Sequence, residues 1–187
     1  MAFVSFVIPT LGRPSLEVAL DSLAKQTDSG WDAWIVCDGF ERTYEGDDDR
    51  LTWIGGEKYG SAGVARNQAL NYVEGEWVAF LDDDDHLEPT YVEHLRQHAE
   101  DYPWAKIIVF RMRHPFLGIL PRPDGFLHWG QVGISYAVKR DVMGGHEFEA
   151  EEPHKGNHED WNMLQDLLDY NRAFVSPHID YVVRDAR

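Results

Sequence analysis

The feature that most constrains the fold of this chain is an apolar run, Trp77 to Leu81, that ends directly at four aspartates, Asp82 to Asp85. Five apolar residues bounded by Gly75 and by charge are typical of a short buried strand. In an open α/β sheet, ligands collect at the carboxyl ends of the strands, where these acids would lie. Adjacent carboxylates repel one another unless a cation or solvent intervenes, and their oxygen atoms suit Mg²⁺ or Mn²⁺. A solvated acidic turn is the alternative, but the strand leading into the run favours a metal site.

The first forty residues have the pattern of a β-α-β unit. Phe3 to Ile8 is a nearly continuous apolar run and predicts a buried parallel strand. A loop over residues 9–14 follows, and apolar residues at helical spacing then predict a helix over residues 16–26. The second predicted strand, Trp34 to Cys37, also ends at an aspartate, Asp38. The second and fourth predicted strands are therefore expected to place acids at the same edge of one sheet.

The rest of the chain continues this pattern at first and then becomes less regular. Residues 41–50 lack apolar periodicity and predict a solvated loop, and residues 114–129 and 144–156 are irregular as well. The remaining predicted strands are at residues 51–54, 106–110 and 133–138, near Phe174 and at 181–183, and a turn is predicted over 139–141. The remaining predicted helices are opened by residues 60–63, by residues 88–90 and by Asp160. We therefore expect an α/β fold with a mostly parallel central sheet flanked by helices and a mixed second half.

Composition and charge exclude several classes of protein. With 187 residues and 43% hydrophobic residues, one folded domain is expected. The 17 basic residues against 33 acidic ones give a net charge of −16, which argues against binding to nucleic acid polymers or anionic lipid. The single cysteine, Cys37, excludes an internal disulfide and indicates a reducing compartment. The first eight residues lack a signal peptide's features, and no apolar run approaches the ~20 residues of a membrane span. A cytoplasmic protein without a membrane span is expected.

A third acidic site lies far along the chain, at Glu159-Asp160, where a helix is predicted to begin. Acids in this position interact favourably with the helix dipole, so these two residues could simply cap the helix. The alternative is that they act together with Asp38 and with Asp82 to Asp85 in one site.

Four segments, taken in their order along the chain, resemble the inverting nucleotide-sugar glycosyltransferases of family 2, which have the GT-A fold. Residues 6–10, Phe-Val-Ile-Pro-Thr, are similar to the opening strand and loop of that family. Residues 63–67, Gly-Val-Ala-Arg-Asn, are similar to the start of its central helix. Residues 80–85 followed by Pro89 resemble its Asp-x-Asp segment, and residues 158–161, His-Glu-Asp-Trp, resemble its Glu-Asp segment. The resemblance covers nearly the whole chain.

The resemblance implies a GT-A, Rossmann-like single domain over residues 1–187. In this interpretation, residues 1–100 form the half that binds the nucleotide sugar and residues 101–187 form the acceptor side. The implied donor is a nucleoside-diphosphate sugar, with UDP as the expected nucleotide. The implied acceptor is a carbohydrate or another hydroxyl, and the implied cofactor is Mn²⁺ or Mg²⁺.

The resemblance also implies roles for individual residues. Thr10 and Asp38 would hold the base and ribose, because a carboxylate accepts the paired donors that these groups offer. Arg66 would stabilise the charge of the donor phosphates. Asp84, with Asp82, would bind the metal, which neutralises the leaving diphosphate as a Lewis acid. The substrate-binding residues implied in this way are Pro9, Thr10, Arg13, Asp38, Gly63, Arg66, Asp82 and Asp83. The run is longer than the motif requires, which leaves the roles of Asp83 and Asp85 open.

Asp160 is the implied general base, with Glu159 orienting its neighbours. It would remove the proton of the acceptor hydroxyl as the oxygen attacks the anomeric carbon from the face opposite the diphosphate, so a single displacement would invert the configuration. The chain lacks the Gln-x-x-Arg-Trp signature that longer members use for processive synthesis, since residues 161–166 read Trp-Asn-Met-Leu-Gln-Asp. A processive synthase is therefore not expected.

Other metal sites suggested by the sequence fit less well. An EF-hand loop counted from Asp82 would place Leu87 where glycine is required, which excludes it. His154 and His158 have the spacing of a zinc pair on a helix, but the intervening Gly-Asn favours a loop. His178 is a candidate additional ligand of the metal.

Two other functions remain open. A sugar nucleotidyltransferase uses similar metal–diphosphate chemistry but would usually have a Gly-rich, basic loop after the first strand, where this chain has one Gly and one Arg. A non-catalytic module that binds carbohydrate or a partner protein could use aromatic rings to stack on sugars. The candidate rings are Phe126, Trp129, Tyr136 and Trp161.

Overall fold

The computed structural model describes residues 1–41, 48–122, 127–150 and 158–184. Within these ranges the chain forms nine strands and five helices. The strands are β1 (Val4–Thr10), β2 (Trp31–Cys37), β3 (Leu51–Gly55), β4 (Trp77–Phe80), β5 (His86–Leu87), β6 (Ile107–His114), β7 (Gly118–Leu120), β8 (Tyr136–Lys139) and β9 (Ala173–Val182). The helices are α1 (Leu16–Ala24), α2 (Ala62–Leu70), α3 (Tyr91–Asp101), α4 (Arg140–Met143) and α5 (Glu159–Leu168).

All nine strands belong to one mixed sheet, which confirms the predicted α/β class. Eight of them follow the order β3-β2-β1-β4-β8-β6-β9-β5, and β7 pairs with β6. In the first half of the chain, β1 is parallel to β2 and to β4, and β2 is parallel to β3. In the second half, β8 is antiparallel to both β4 and β6, whereas β9 is parallel to β6. The sheet is therefore parallel in one half and mixed in the other.

Burial explains why the central strands read as uninterrupted apolar runs. All seven residues of β1 and all four of β4 are buried, because helices or loops cover both faces of the sheet. The register pairs Val7 with Phe80 and Thr10 with Cys37, so β1, β2 and β4 finish near one edge. The loops that follow these strands therefore converge, as expected from the sequence.

The second half of the sheet differs from the predicted elements. The predicted strand over residues 106–110 continues to His114 as β6. The two short strands expected near Phe174 and over 181–183 are one ten-residue strand, β9, whose register with β6 shifts around Arg111. Ser176, Pro177 and His178 interrupt its apolar pattern, which is why the sequence suggested two pieces.

Smaller differences arise near the helices. The strand β5 was not predicted, because two residues pairing with β9 leave no local pattern. The strand predicted over residues 133–138 is β8, which begins at Tyr136. Residues 139–141, expected as a turn, end β8 and begin the short helix α4. Within the described ranges, every helix is too short or too polar to cross a membrane.

Candidate active site

A cavity of about 590 Å³ opens at the edge of the sheet where β1, β2 and β4 end. Its walls come from the loops after these strands, from the start of α2 and from the first turn of α5. The described residues that line it are Pro9, Thr10, Leu11, Arg13, Asp38, Lys58, Gly60, Ser61, Ala62, Ala65, Arg66, Asp82, Asp83, Asp84, Glu159 and Asp160. The three acidic sites identified in the sequence, which extend from Asp38 to Asp160, therefore meet in one cavity.

The loop after β1 is fixed by the second aspartate of the run. The Thr10 hydroxyl donates a hydrogen bond of 2.6 Å to Asp83 Oδ2, and it accepts one of 2.9 Å from the Gly12 amide. Arg13 adds contacts of 3.3 Å to Asp83 Oδ1 and 3.5 Å to Asp84 Oδ2. Asp83 is buried by these partners. Its carboxylate thus holds the two loops together.

Asp38 orders the loop that leads into α2. Its Oδ1 accepts a hydrogen bond of 2.5 Å from the Tyr59 amide, and its Oδ2 accepts one of 3.1 Å from the Gly60 amide. Ser61 then caps α2 by accepting from the Val64 amide at 3.3 Å. The amino end of α2 consequently faces the cavity, where the backbone amides of its first turn and its dipole favour an anion.

Arg66, on α2, is the buried cation that joins the acidic sites. Only 1% of its surface is exposed. One terminal nitrogen, Nη2, donates to Asp82 Oδ1 at 2.5 Å, and the other, Nη1, donates to Asp160 Oδ1 at 3.0 Å and lies 3.7 Å from Glu159 Oε1. Burial alone would lower the pKa of Arg66, but the neighbouring carboxylates, Asp82 first, outweigh it and raise this pKa above its ordinary value.

Asp82, Asp84 and Asp85 form a cluster whose ligand oxygens lie within 4.8 Å of one another. Burial, reinforced by the charges of Asp82 and Asp83, raises the pKa of Asp84. Burial next to Asp82 likewise raises the pKa of Asp85 to about 7. These shifts reflect burial first and the neighbouring carboxylates second. Three hard oxygen ligands suit a divalent cation.

Strand β9 holds this cluster in place from the far side. The Tyr181 hydroxyl accepts a hydrogen bond of 3.3 Å from the Asp82 amide and also bonds the Asp85 side chain. The Arg184 amide donates to Asp85 Oδ1 at 2.9 Å. Asp85 was left without a role by the sequence, whereas the structure makes it the third member of the cluster. Only its place in the acidic run could have indicated this.

The predicted site residues fall into two groups. Those brought together around the cavity are Pro9, Thr10, Arg13, Asp38, Arg66, Asp82, Asp83, Asp84 and Asp160. Gly63 is the exception, because it does not line the cavity. An added Cβ there would lie 2.9 Å from Phe148 Cβ and 3.1 Å from Glu159 Cγ. Its small size therefore permits α2 to pack closely on neighbouring segments, which the amide group of Asn67 reinforces by bonding the backbone of Phe148.

The histidines singled out in the sequence do not extend this site. His178 stacks on His94 of α3 with ring centroids 3.7 Å apart and is not part of the cavity wall. His158 lies just before α5, but His154 falls outside the described residues, as does Phe126. Most of the loop predicted over residues 41–50 lies outside them too.

Comparison with known sequences identifies one family. The family model described as Glycosyl transferase family 2 matches residues 5–124, more than half of the chain. The chain is 33% identical over 89 residues to the Escherichia coli protein UDP-Glc:alpha-D-GlcNAc-diphosphoundecaprenol beta-1,3-glucosyltransferase WfgD, covering 44% of this chain and 35% of that protein. It is 34% identical over 90 residues to the putative teichuronic acid biosynthesis glycosyltransferase TuaG of Bacillus subtilis. This match covers 44% of this chain and 36% of that protein. These matches span about a third of each relative.

Solved structures share the fold over nearly the whole chain. S. aureus TarS 1–349 in complex with UDP-GlcNAc superimposes with a TM-score of 0.77 at 18% identity, covering 100% of this chain and 60% of that one. The mannosyltransferase PcManGT from Pyrobaculum calidifontis, in complex with GDP-Man and Mn²⁺, gives a TM-score of 0.67 at 18% identity. This match covers 96% of this chain and 56% of that one. At this identity the likeness establishes the fold.

Proposed function

This chain belongs to glycosyl transferase family 2, and from that membership we propose that it transfers a sugar from a nucleoside-diphosphate sugar to an acceptor hydroxyl. The observation that carries the proposal is the cavity in which Asp38, the start of α2, Asp84 and Asp160 meet. In such a cavity, Asp38 can accept hydrogen bonds from a base or ribose, and the start of α2 can bind phosphates. Asp84 can provide oxygen ligands for a cation, and Asp160 can remove a proton.

The donor would lie along the edge of the sheet. Thr10 and Asp38 would hold the base and ribose, and the amino end of α2 would bind the diphosphate, because all of them line the cavity. UDP is our proposed nucleotide, because the names of one relative and of one structural neighbour contain a UDP-sugar. Residues 1–100 would thus bind the donor, and residues 101–187 would provide Asp160 and the acceptor side. One sheet containing strands from both halves supports a single catalytic domain.

The cation in this proposal is Mn²⁺ or Mg²⁺, held by Asp84 and Asp82 with Asp85 as a third ligand. The donor set fits, because its oxygens lie within 4.8 Å of one another and three carboxylates supply the hard ligands that such a cation prefers. A divalent cation bound there would act as a Lewis acid on the diphosphate leaving group.

Asp160 would act as the general base of a single displacement. Its carboxylate takes the proton of the acceptor hydroxyl as that oxygen bonds to the anomeric carbon and the bond from this carbon to the diphosphate oxygen breaks. Attack from the face opposite the leaving group inverts the anomeric configuration. Arg66 would position this base, since its 3.0 Å bond to Oδ1 fixes the carboxylate while its other nitrogen holds Asp82. Proton removal of this kind typically contributes about 10²–10⁴-fold in rate.

Asp160→Asn tests this assignment. We expect transfer from a UDP-sugar to fall by at least about 100-fold, while the rise in melting temperature on adding UDP and Mn²⁺ stays close to that of the wild type. Normal turnover by the variant would overturn the role of Asp160.

The wild-type protein separates the three candidate functions. Screening UDP and GDP by thermal shift, with and without Mn²⁺, reports donor binding directly. Transfer or hydrolysis of a UDP-sugar supports the transferase. Binding without turnover would instead indicate a module, and pyrophosphate-dependent reversal would indicate a nucleotidyltransferase.

A further inference from the structure

A second, more open groove of about 350 Å³ lies beside the cavity and is lined by Trp129, His158, Trp161 and Asn162. Three of these residues share one face at the start of α5, because positions 158, 161 and 162 are three and four residues apart. The intervening pair, Glu159 and Asp160, lines the first cavity. One helical turn therefore separates the two spaces, and Asp160 lies in that turn.

The exposed indole of Trp129 is held in a fixed orientation. Trp129 is 62% exposed, yet its Nε1 donates a hydrogen bond of 3.1 Å to His158 Nδ1. The two rings also meet edge to face, with centroids 5.1 Å apart and an interplanar angle of 85°. An aromatic face already held in place loses little conformational freedom when a ligand stacks on it. Trp129 thus has the properties of a preformed stacking platform.

The other residues of the groove supply polar groups without a net positive charge. The Asn162 side chain is fixed by a hydrogen bond of 2.8 Å to Glu149 Oε2. Neither lysine nor arginine occurs among the described residues that line the groove. The volume is within the range of about 300–1,000 Å³ that is common for small-molecule sites. An aromatic face with a few neutral polar groups matches an uncharged sugar ring better than a phosphate or a uronic acid.

We propose that this groove is an acceptor subsite in which a neutral pyranoside ring stacks on Trp129. The description of this ring as the acceptor rests on the proposed transferase function, whereas sugar binding in the groove does not. A ring in this position would lie next to the helical turn that carries Asp160, because His158, Trp161 and Asn162 flank that residue in the sequence. The proposal therefore assigns an uncharged glycan as the acceptor class.

Direct binding of cellotriose and chitotriose to the full chain tests the subsite. Calorimetric titration in the presence of UDP and Mn²⁺ should give saturable binding of at least one trisaccharide. Trp129→Ala should weaken that binding about tenfold, as loss of one aromatic stacking partner predicts, and Trp129→Phe should stay within about threefold of the wild type. Trp104→Ala is the matched control, because this partly exposed tryptophan packs against Arg172 away from the groove. It should bind the trisaccharide normally.

The outcomes separate this proposal from the proposed function. Absence of binding for both trisaccharides, or equal binding by wild type and a folded Trp129→Ala variant, would overturn the subsite. If the transferase function is wrong, UDP will not raise the melting temperature and no turnover will be seen. This result does not depend on whether the trisaccharides bind. If transfer is observed, Trp129→Ala should raise the KM for the trisaccharide about tenfold with little change in kcat or in UDP binding. A fall in kcat alone would contradict a binding role.

Discussion

Removal of the buried cation at Arg66 should destabilise the protein far more than removal of a surface arginine. In Arg66→Met, the carboxylates of Asp82, Asp160 and Glu159 would face one another without the guanidinium that now lies 2.5, 3.0 and 3.7 Å from them. Deleting one partner of a buried ion pair typically costs about 3–5 kcal/mol. For a domain of this size each kcal/mol lowers the melting temperature by about 2–4 °C, so a decrease of about 6–20 °C is expected.

Arg96→Met is the matched control for this experiment. Arg96 also pairs with an aspartate through two nitrogens, at 2.6 and 3.2 Å from Asp28, but its side chain is 38% exposed. Exposed pairs contribute about 1 kcal/mol or less, so this variant should melt within a few degrees of the wild type.

Urea unfolding provides a second check on the Arg66 prediction, because it measures the free energy of unfolding of both variants against the wild type. A deficit for Arg66→Met no larger than that for Arg96→Met would refute the reasoning.

Two further substitutions test the acid cluster and the close approach of α2. Because the pKa of Asp85 in the folded protein, about 7, lies above its ordinary value of 3.8, the cation-free wild type should lose up to about 4 kcal/mol of stability as the pH rises from about 4 through 7. The free energy of unfolding of Asp85→Asn should decrease less over this pH range, and this variant should bind Mn²⁺ more weakly. A dependence of its stability on pH equal to that of the wild type would contradict the assignment. Gly63→Ala should lower the free energy of unfolding by about 1–2 kcal/mol through its contact with Phe148, whereas Gly144→Ala, with no atom within 4 Å of the added methyl, should be neutral in thermal melts.

Features that depend on neighbouring residues could be predicted from the sequence. The acids at the ends of β2 and β4 follow their apolar runs directly, so their place at one edge of the sheet follows from strand direction alone. The partners of these acids could not be predicted in the same way. Tyr181 reaches Asp82 from a strand 99 residues further along the chain, and nothing near either residue signals that contact.

The burial of Arg66 and the close packing around Gly63 could not be predicted from the residue type at either position. An arginine at the start of a helix is usually exposed, and we expected it to face donor phosphates. It is buried because three carboxylates from separate segments compensate its charge, which only the assembled fold provides. Gly63 belongs to a motif that suggested substrate contact, yet it is small because Phe148 and Glu159 approach it.

The anchoring of the acid cluster by β9 has a consequence for biosynthesis. A chain emerging from the ribosome presents Asp82 to Asp85 well before Tyr181 and Arg184 have been translated, since 99 residues separate each hydrogen-bonded pair. A nascent fragment that ends before β9 would hold four adjacent carboxylates with no strand to orient them. The acid cluster should therefore take up its folded arrangement only late in synthesis, after β9 has been translated.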